Sequence, residues 1–154
     1  LEAARQELEA LRALKADPAL RDASVWGLHA VSTLLEIAER ILDGEIAAAS
    51  GRWSAAIESL QSAVALADTL SYDEPPAWPI PVRHNLGAVL LRAGKAAQAE
   101  TVYRADLDQF PDNGWALHGL VRALRAQNKP ADEVQARLDR AWAHADVELT
   151  DSHY

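Results

Sequence analysis

The feature that most constrains this chain is an internal repeat with a period of about 34 residues. The pair Leu86-Gly87 is followed one period later by Leu120-Val121, and in each case a leucine stands four positions after the first member. A fixed period of this length is typical of paired helices that stack side by side, because each pair buries its apolar face only against its neighbours. The period therefore predicts an all-α chain built from helical hairpins.

Helical periodicity and breaker residues divide the chain into successive parts. We expect about seven helices in a single domain, with the second helix beginning after Asp22 or Ser24 and running to Ala49. The tail has no period, so it is either frayed or packed across the last helix. The parts are an N-terminal helix (1–16), a first hairpin (24–70), a proline-rich insert (71–79), a second hairpin (80–113), a third hairpin (114–146) and the tail (147–154).

The first hairpin repeats the second one at a larger spacing than this period. Taken in order, Gly44, Gly51, Ala56 and Leu60 match Gly87, Gly94, Ala99 and Tyr103. The matched residues are 43 positions apart, which is nine more than the period of 34 and predicts a nine-residue insertion. Four prolines occur between Thr69 and Pro81, so we expect the insertion in that stretch. Small residues in the matched slots indicate that two helices cross at close range.

Composition excludes several classes of function. The net charge is −8, and residues 1–79 carry 13 acidic against 6 basic side chains, so nucleic acid is an unsuitable partner. No apolar run is long enough to span a bilayer, and the absence of cysteine excludes disulfides and thiolate metal sites. No phosphate loop, His-Glu-x-x-His motif or nucleophile elbow occurs, which predicts a chain that is not an enzyme and needs no cofactor. Because it opens with Leu1 and lacks methionine, we expect either a segment of a longer protein or a processed product.

The spacing of Leu86-Gly87-x-x-Leu90, Ala99-x-x-x-Tyr103 and Pro111 resembles the tetratricopeptide repeat (TPR) family, over about residues 25–146. The resemblance implies a right-handed solenoid of antiparallel helices that acts as a protein-interaction scaffold. Three slots depart from the family pattern, because Asp43, Arg83 and Asp106 stand where leucine, tryptophan and a small residue are usual. The proline-rich insert resembles one found in the C-terminal part of larger bacterial TPR proteins, which implies a bacterial origin.

The resemblance also implies a concave groove, lined by the first helix of each hairpin, that receives a peptide. Arginine binds carboxylates through paired hydrogen bonds, so the arginines on this face predict an acidic or C-terminal peptide as partner. An exposed tryptophan there would be a binding hot spot. For any single arginine the alternative is a solvated helix face that pairs with nearby acids. The predicted groove residues are His84, Arg92, Trp115, His118, Arg122 and Arg125.

Two further interpretations remain open. His84 and His118 occupy the same slot one repeat apart, so they could bind a metal ion or a small ligand together with Asp73 and Glu74. Alternatively, the long second helix and the N-terminal helix could pack against another domain or another copy.

The insert has two interpretations of its own. Tyr72 and Trp78 either clamp a ligand at the mouth of the groove or pack under their own loop, in which case Asp73 and Glu74 would pair with Arg83. Four other aromatic residues are expected in the core because they lie on or beside apolar faces. These are Trp26, Trp53, Phe110 and Trp142.

Overall fold

Seven α-helices and one short β-hairpin form the regular structure of residues 1–153, the part of the chain described by this computed structural model. The all-α prediction is confirmed at this level. Residue contacts group the chain into two compact units, Leu1–Val82 and a second unit that begins at Arg83. The helices are α1 (Glu2–Lys15), α2 (Val31–Ala49), α3 (Trp53–Ala67), α4 (Val82–Arg92), α5 (Ala96–Gln109), α6 (Gly114–Ala126) and α7 (Asp132–Ala141); a 3₁₀ turn (Pro18–Leu20) precedes strands β1 (Ser24–Val25) and β2 (His29–Ala30).

The second helix begins later than predicted, because β1 and β2 form an antiparallel hairpin ahead of it. At the tip of this hairpin, Trp26 and Gly27 have φ values of 51° and 75°, and the Leu28 amide donates to the Val25 carbonyl at 3.0 Å. Two successive left-handed residues match a type I′ turn, and no right-handed helix can pass through them. The helix therefore starts only at Val31.

In the first unit, α1 is fixed to α2 mainly by charged side chains. Arg12 Nε lies 2.9 Å from Glu39 Oε1, and Lys15 forms ion pairs with both Glu36 and Glu39. Leu8 is the buried residue of α1. The Lys15 ammonium is the leading cause that lowers the pKa of Glu36 below its usual value, so these acids stay ionised against the basic side of α1.

The hairpin of α2 and α3 buries the core of the first unit. Ile37 and Ala63 are fully buried, and Leu70 and Trp78 pack against them together with Val82. Gly44 of α2 faces Leu60 of α3, and a Cβ atom on Gly44 would lie 2.7 Å from Leu60 Cγ. This is the close approach that the small residue in that slot predicts.

In the second unit, the matched slot makes the same kind of contact. A Cβ atom on Gly87 of α4 would lie 2.3 Å from Cζ of Tyr103 on α5. The pair Gly87 and Tyr103 thus corresponds to Gly44 and Leu60, at the larger of the two offsets in the sequence. The hairpin repeat is therefore present as packing and not only as a sequence pattern.

One turn occurs three times, after α2, α4 and α6. Its left-handed residue is Gly51, Gly94 or Asn128, with φ of 72°, 73° and 57°. In each case the following amide donates to the carbonyl five residues earlier, as in a Schellman cap. These bonds join Arg52 to Ala47, Lys95 to Leu90 and Lys129 to Leu124, at 2.9, 2.8 and 3.0 Å. Gly94 follows Gly51 by 43 residues, and Asn128 follows Gly94 by 34 residues. The turns therefore have the same two spacings as the sequence repeats.

Three of the four aromatic residues predicted for the core are exposed instead. Trp26 is 63% exposed at the hairpin tip, Phe110 is 48% exposed just after α5, and Trp53 is 36% exposed as the first residue of α3. Trp26 thus stands in a turn, and Trp53 and Phe110 stand at the ends of helices. Trp142 is partly buried, at the end of α7.

Candidate functional site

Tyr103 connects the core of the second unit to its polar surface. The side chain is fully buried, and its ring lies between two glycines, Gly87 on α4 and Gly119 on α6. A Cβ atom on Gly119 would lie 2.2 Å from Tyr103 Cζ. Burial raises the pKa of the Tyr103 phenol far above its usual value, so the hydroxyl stays protonated and available as a hydrogen-bond donor.

The hydroxyl of Tyr103 meets residue 152 of the aperiodic tail. Ser152 is fully buried, with its Oγ 2.5 Å from the Tyr103 hydroxyl and 3.3 Å from the main-chain carbonyl of His84. A serine hydroxyl has one proton to donate, and the His84 carbonyl can only accept. The Tyr103 hydroxyl therefore donates to Ser152, which in turn donates to His84.

Arg122 of α6 holds the two residues before Ser152. Its guanidinium donates to Asp151 Oδ1 at 2.8 Å and to the Thr150 carbonyl at 3.3 Å. The same Asp151 oxygen accepts from the Ser152 amide at 2.8 Å. One arginine thus recognises both a carboxylate and the main chain beside it, which fixes the segment in position and direction.

The start of the segment is fixed by α7. The indole Nε1 of Trp142 donates to the Val147 carbonyl at 2.6 Å, and the Trp142 ring makes an edge-to-face contact with Trp115, with centroids 5.8 Å apart. Residues 147–153 of the predicted tail are therefore packed onto helices of their own unit, which answers the question that the sequence left open, and residue 154 lies outside the described residues. We call residues 147–153 the 147–153 segment, and the groups that hold its residues 150–152 the Arg122 site: the side chains of Tyr103, His118 and Arg122 with the His84 carbonyl.

His118 stands beside Arg122 on α6 and is partly buried. Burial lowers the pKa of its imidazole, and the positive charge of Arg122 lowers it further, whereas Asp151 and the Thr150 backbone act in the opposite direction. Its Nε2 atom is buried and has no hydrogen-bond partner among residues 1–153. The neutral imidazole therefore forms the wall of the site next to Thr150.

His84 does not face the surface as predicted. Its side chain is buried, with Nε2 3.2 Å from Oδ2 of the equally buried Asp106. The TPR pattern has a small residue at the position of Asp106. Here the larger aspartate side chain reaches the imidazole and covers it. The exposed position assigned to His84 is therefore wrong, and only its main-chain carbonyl reaches the 147–153 segment.

The other three predicted groove residues are Arg92, Trp115 and Arg125. Arg125 donates to Gln135 Oε1 at 2.9 Å on an exposed face, and Arg92 is exposed on α4. Trp115 is partly covered by Trp142 rather than displayed. Of the six candidates, the structure therefore brings Arg122, His118 and the backbone of His84 to one site. Tyr103 was not among the candidates, although its hydroxyl group indicates that this core residue can also form a polar contact.

The proline-rich insert belongs to the first unit, where one of its two aromatic side chains is packed and the other is exposed. Trp78 packs on the buried cluster around Ile37, as its packing interpretation predicts, whereas Tyr72 is 84% exposed and its hydroxyl donates to Glu74. Asp73 Oδ2 lies 3.6 Å from His29 Nε2.

The structure gives the metal hypothesis no support. Within residues 1–153, no group of three or more His, Cys, Asp or Glu side chains is placed to hold a metal ion. The imidazole of His84 is already paired with Asp106, which removes the ligand on which that hypothesis depended. The same residues contain no helix that combines the length and the apolar character needed to cross a membrane.

Comparison with known proteins identifies no relative. No protein-family model, curated protein or solved structure matches the chain. Function is therefore inferred from the geometry of the Arg122 site.

Proposed function

We propose that this chain is a protein-interaction module of TPR type, and that its second unit binds an extended acidic segment at the Arg122 site. The observation that carries the proposal is the pairing of Arg122 with Asp151 and the Thr150 carbonyl, next to a fully buried Ser152. A site that recognises a carboxylate, a main-chain carbonyl and a small hydroxyl in sequence suits a peptide better than a small metabolite.

The TPR part of the proposal is supported by local structure. The same cap occurs three times at the two spacings found in the sequence, and a glycine faces a larger residue across the first two hairpins. Repeats of this kind present extended binding surfaces, because each hairpin contacts mainly its neighbours. Peptide binding by side chains of α6 is consistent with that architecture.

The charge of the chain supports a specific site rather than general attraction. The net charge is −8, so an acidic peptide is repelled at long range and needs a local cation with good geometry. Arg122 provides that cation, and its side chain remains 40% exposed while it holds Asp151. A charge-assisted hydrogen bond of this kind contributes about 1.5–3 kcal/mol.

The test uses a fluorescein-labelled peptide, Val-Glu-Leu-Thr-Asp-Ser-His, with both ends blocked so that only side-chain carboxylates are available. The receptor is the chain carrying Asp151→Lys, which removes the internal carboxylate from Arg122. Fluorescence anisotropy is expected to show saturable binding that weakens by about tenfold or more when Arg122→Ala is added.

The matched control is Arg140→Ala, which removes an exposed arginine of α7 in the same unit and is expected to leave the affinity unchanged. Absence of binding to the Asp151→Lys chain would refute the proposal. Equal binding with and without Arg122 would refute it as well.

A further inference from the structure

The 147–153 segment occupies the site that the proposed function assigns to a partner. Residues 150–152 are held there by hydrogen bonds: Arg122 binds Thr150 and Asp151, and the Tyr103 hydroxyl and the His84 carbonyl bind Ser152. Two segments cannot use the same hydrogen bonds at once. A partner must therefore displace these residues before it can bind.

From this occupancy we infer that the 147–153 segment is an internal competitor, and that the partner it excludes carries an acidic residue followed directly by serine. The inference rests on the proposed function of the Arg122 site and adds the identity of the recognised sequence and its regulation. An internal segment is present at a high effective concentration, so even modest contacts exclude a peptide that binds from solution.

The requirement for serine follows from the surroundings of Ser152. The residue is completely buried, and its hydroxyl links one donor, on Tyr103, to one acceptor, the His84 carbonyl. Alanine in that place would leave both groups without a partner, and a buried unsatisfied group is costly. A larger side chain would not fit the buried position without displacing Tyr103, whose ring is confined between Gly87 and Gly119.

The acidic residue before serine follows from Arg122. Asp151 accepts from the guanidinium and also from the Ser152 amide through the same oxygen. This second bond joins the carboxylate to the main chain of the next residue, so the Arg122 site recognises the acidic residue and the serine together. Recognition therefore depends on their order as well as on their presence.

The first experiment compares the wild-type chain with Asp151→Lys and Asp151→Asn for binding of the blocked Val-Glu-Leu-Thr-Asp-Ser-His peptide. Release of the internal segment is expected to strengthen binding in solution by about tenfold or more for Asp151→Lys, with Asp151→Asn intermediate. Circular dichroism of each variant establishes that the helices are intact. Equal affinities of the wild-type and variant chains would overturn the internal competition while leaving the proposed function standing.

The second experiment varies the peptide against the Asp151→Lys chain. Replacing serine by alanine, and separately exchanging the order to Ser-Asp, is expected to weaken binding by about tenfold in each case. A peptide with phosphoserine is expected not to bind, because the buried hydroxyl has no room for a phosphate. Binding that ignores these changes would overturn the sequence preference, whereas loss of binding by every peptide would refute the proposed function itself.

Discussion

Gly119→Ala tests the contact on which the Arg122 site depends, the position of Tyr103 between α4 and α6. In an ordinary helix interior this substitution is stabilising by about 1 kcal/mol, because alanine has the higher helix propensity. In this chain the added Cβ would lie 2.2 Å from Cζ of Tyr103, whereas carbon atoms in contact are normally about 3.5–4 Å apart. The ring would have to move by about 1 Å or more.

Tyr103 has little freedom to make that movement. Its other side is in equally close contact with Gly87, where a Cβ would lie 2.3 Å from the ring. Overpacking a confined core costs about 1–3 kcal/mol, and displacing the hydroxyl from Ser152 adds about 1 kcal/mol. After the gain in propensity is subtracted, we expect the free energy of unfolding to fall by about 1–3 kcal/mol.

Gly44→Ala is the matched control in the first unit. A Cβ there would lie 2.7 Å from Leu60 Cγ, and leucine can change rotamer where an aromatic ring cannot bend. We therefore expect a loss of about 1 kcal/mol or less for Gly44→Ala.

The assay is urea unfolding followed by circular dichroism at 25 °C. With a slope of about 2 kcal/mol/M, the midpoint should fall by about 1 M for Gly119→Ala and by clearly less for Gly44→Ala. Adding Tyr103→Leu, the residue type of the first hairpin, should restore part of the stability lost by Gly119→Ala. A Gly119→Ala chain as stable as the wild type would show that the ring does not lie between the two helices.

Three further predictions address other parts of the chain. Trp78→Ala should lower the free energy of unfolding by about 2–3 kcal/mol in thermal denaturation, since the indole packs on the buried cluster of the first unit; a change below about 0.5 kcal/mol would contradict that packing. Hydrogen bonds from Lys129 and then Gln127 lower the pKa of Glu100 to about 2, so its stabilising effect should be complete above pH 4.5 and disappear as the pH falls towards 2. Compared with Glu100→Gln in acid titrations, the wild type should be more stable by about 1 kcal/mol at pH 6, and an equal difference at pH 2 would refute the assignment. Burial lowers the pKa of His118, so its neutral imidazole contributes to the free energy of unfolding above pH 6.5, and this contribution is lost as the pH falls through the folded-state pKa. His118→Gln should therefore flatten the pH dependence of stability between pH 7 and 5. An unchanged slope would argue against the buried imidazole.

The hairpins of the second unit could be located from the sequence, since α4 and α5 lie within the predicted range 80–113 and α6 and α7 within the predicted range 114–146, although α7 already ends at Ala141. The reason is that their helices combine a periodic apolar face with a strong local signal at the end, such as the left-handed glycine at position 94. The β-hairpin could not be predicted in the same way. Its turn has Trp26 where glycine, asparagine or aspartate usually gives the signal for a left-handed residue.

His84 shows why a position in the repeat pattern does not by itself determine whether a side chain is exposed. His84 lies in a slot that the TPR pattern exposes, and Asp106 lies in one that the pattern keeps small. Together the two residues form a buried pair with Nε2 and Oδ2 3.2 Å apart. The departure from the pattern at Asp106 therefore accounts for the burial of His84, which lies on a different helix.

The 147–153 segment could not be placed from its sequence for a different reason. It has no apolar period, and its position depends on hydrogen bonds to Arg122 and Tyr103, which lie on helices at least 28 residues away in the chain. Such contacts become visible only in three dimensions. Arg122 itself could be identified, because arginine in an acidic chain already suggests a carboxylate partner.

The bond from Trp142 Nε1 to the Val147 carbonyl, 2.6 Å long, gives this chain a natural spectroscopic reporter. While the bond persists, the indole proton is protected from exchange with solvent; when the segment leaves, the proton becomes free to exchange. In a proton–nitrogen NMR spectrum, the indole signal of Trp142 should therefore distinguish the two states without an attached fluorophore. Titration of a partner could be followed in the intact chain by that one resonance.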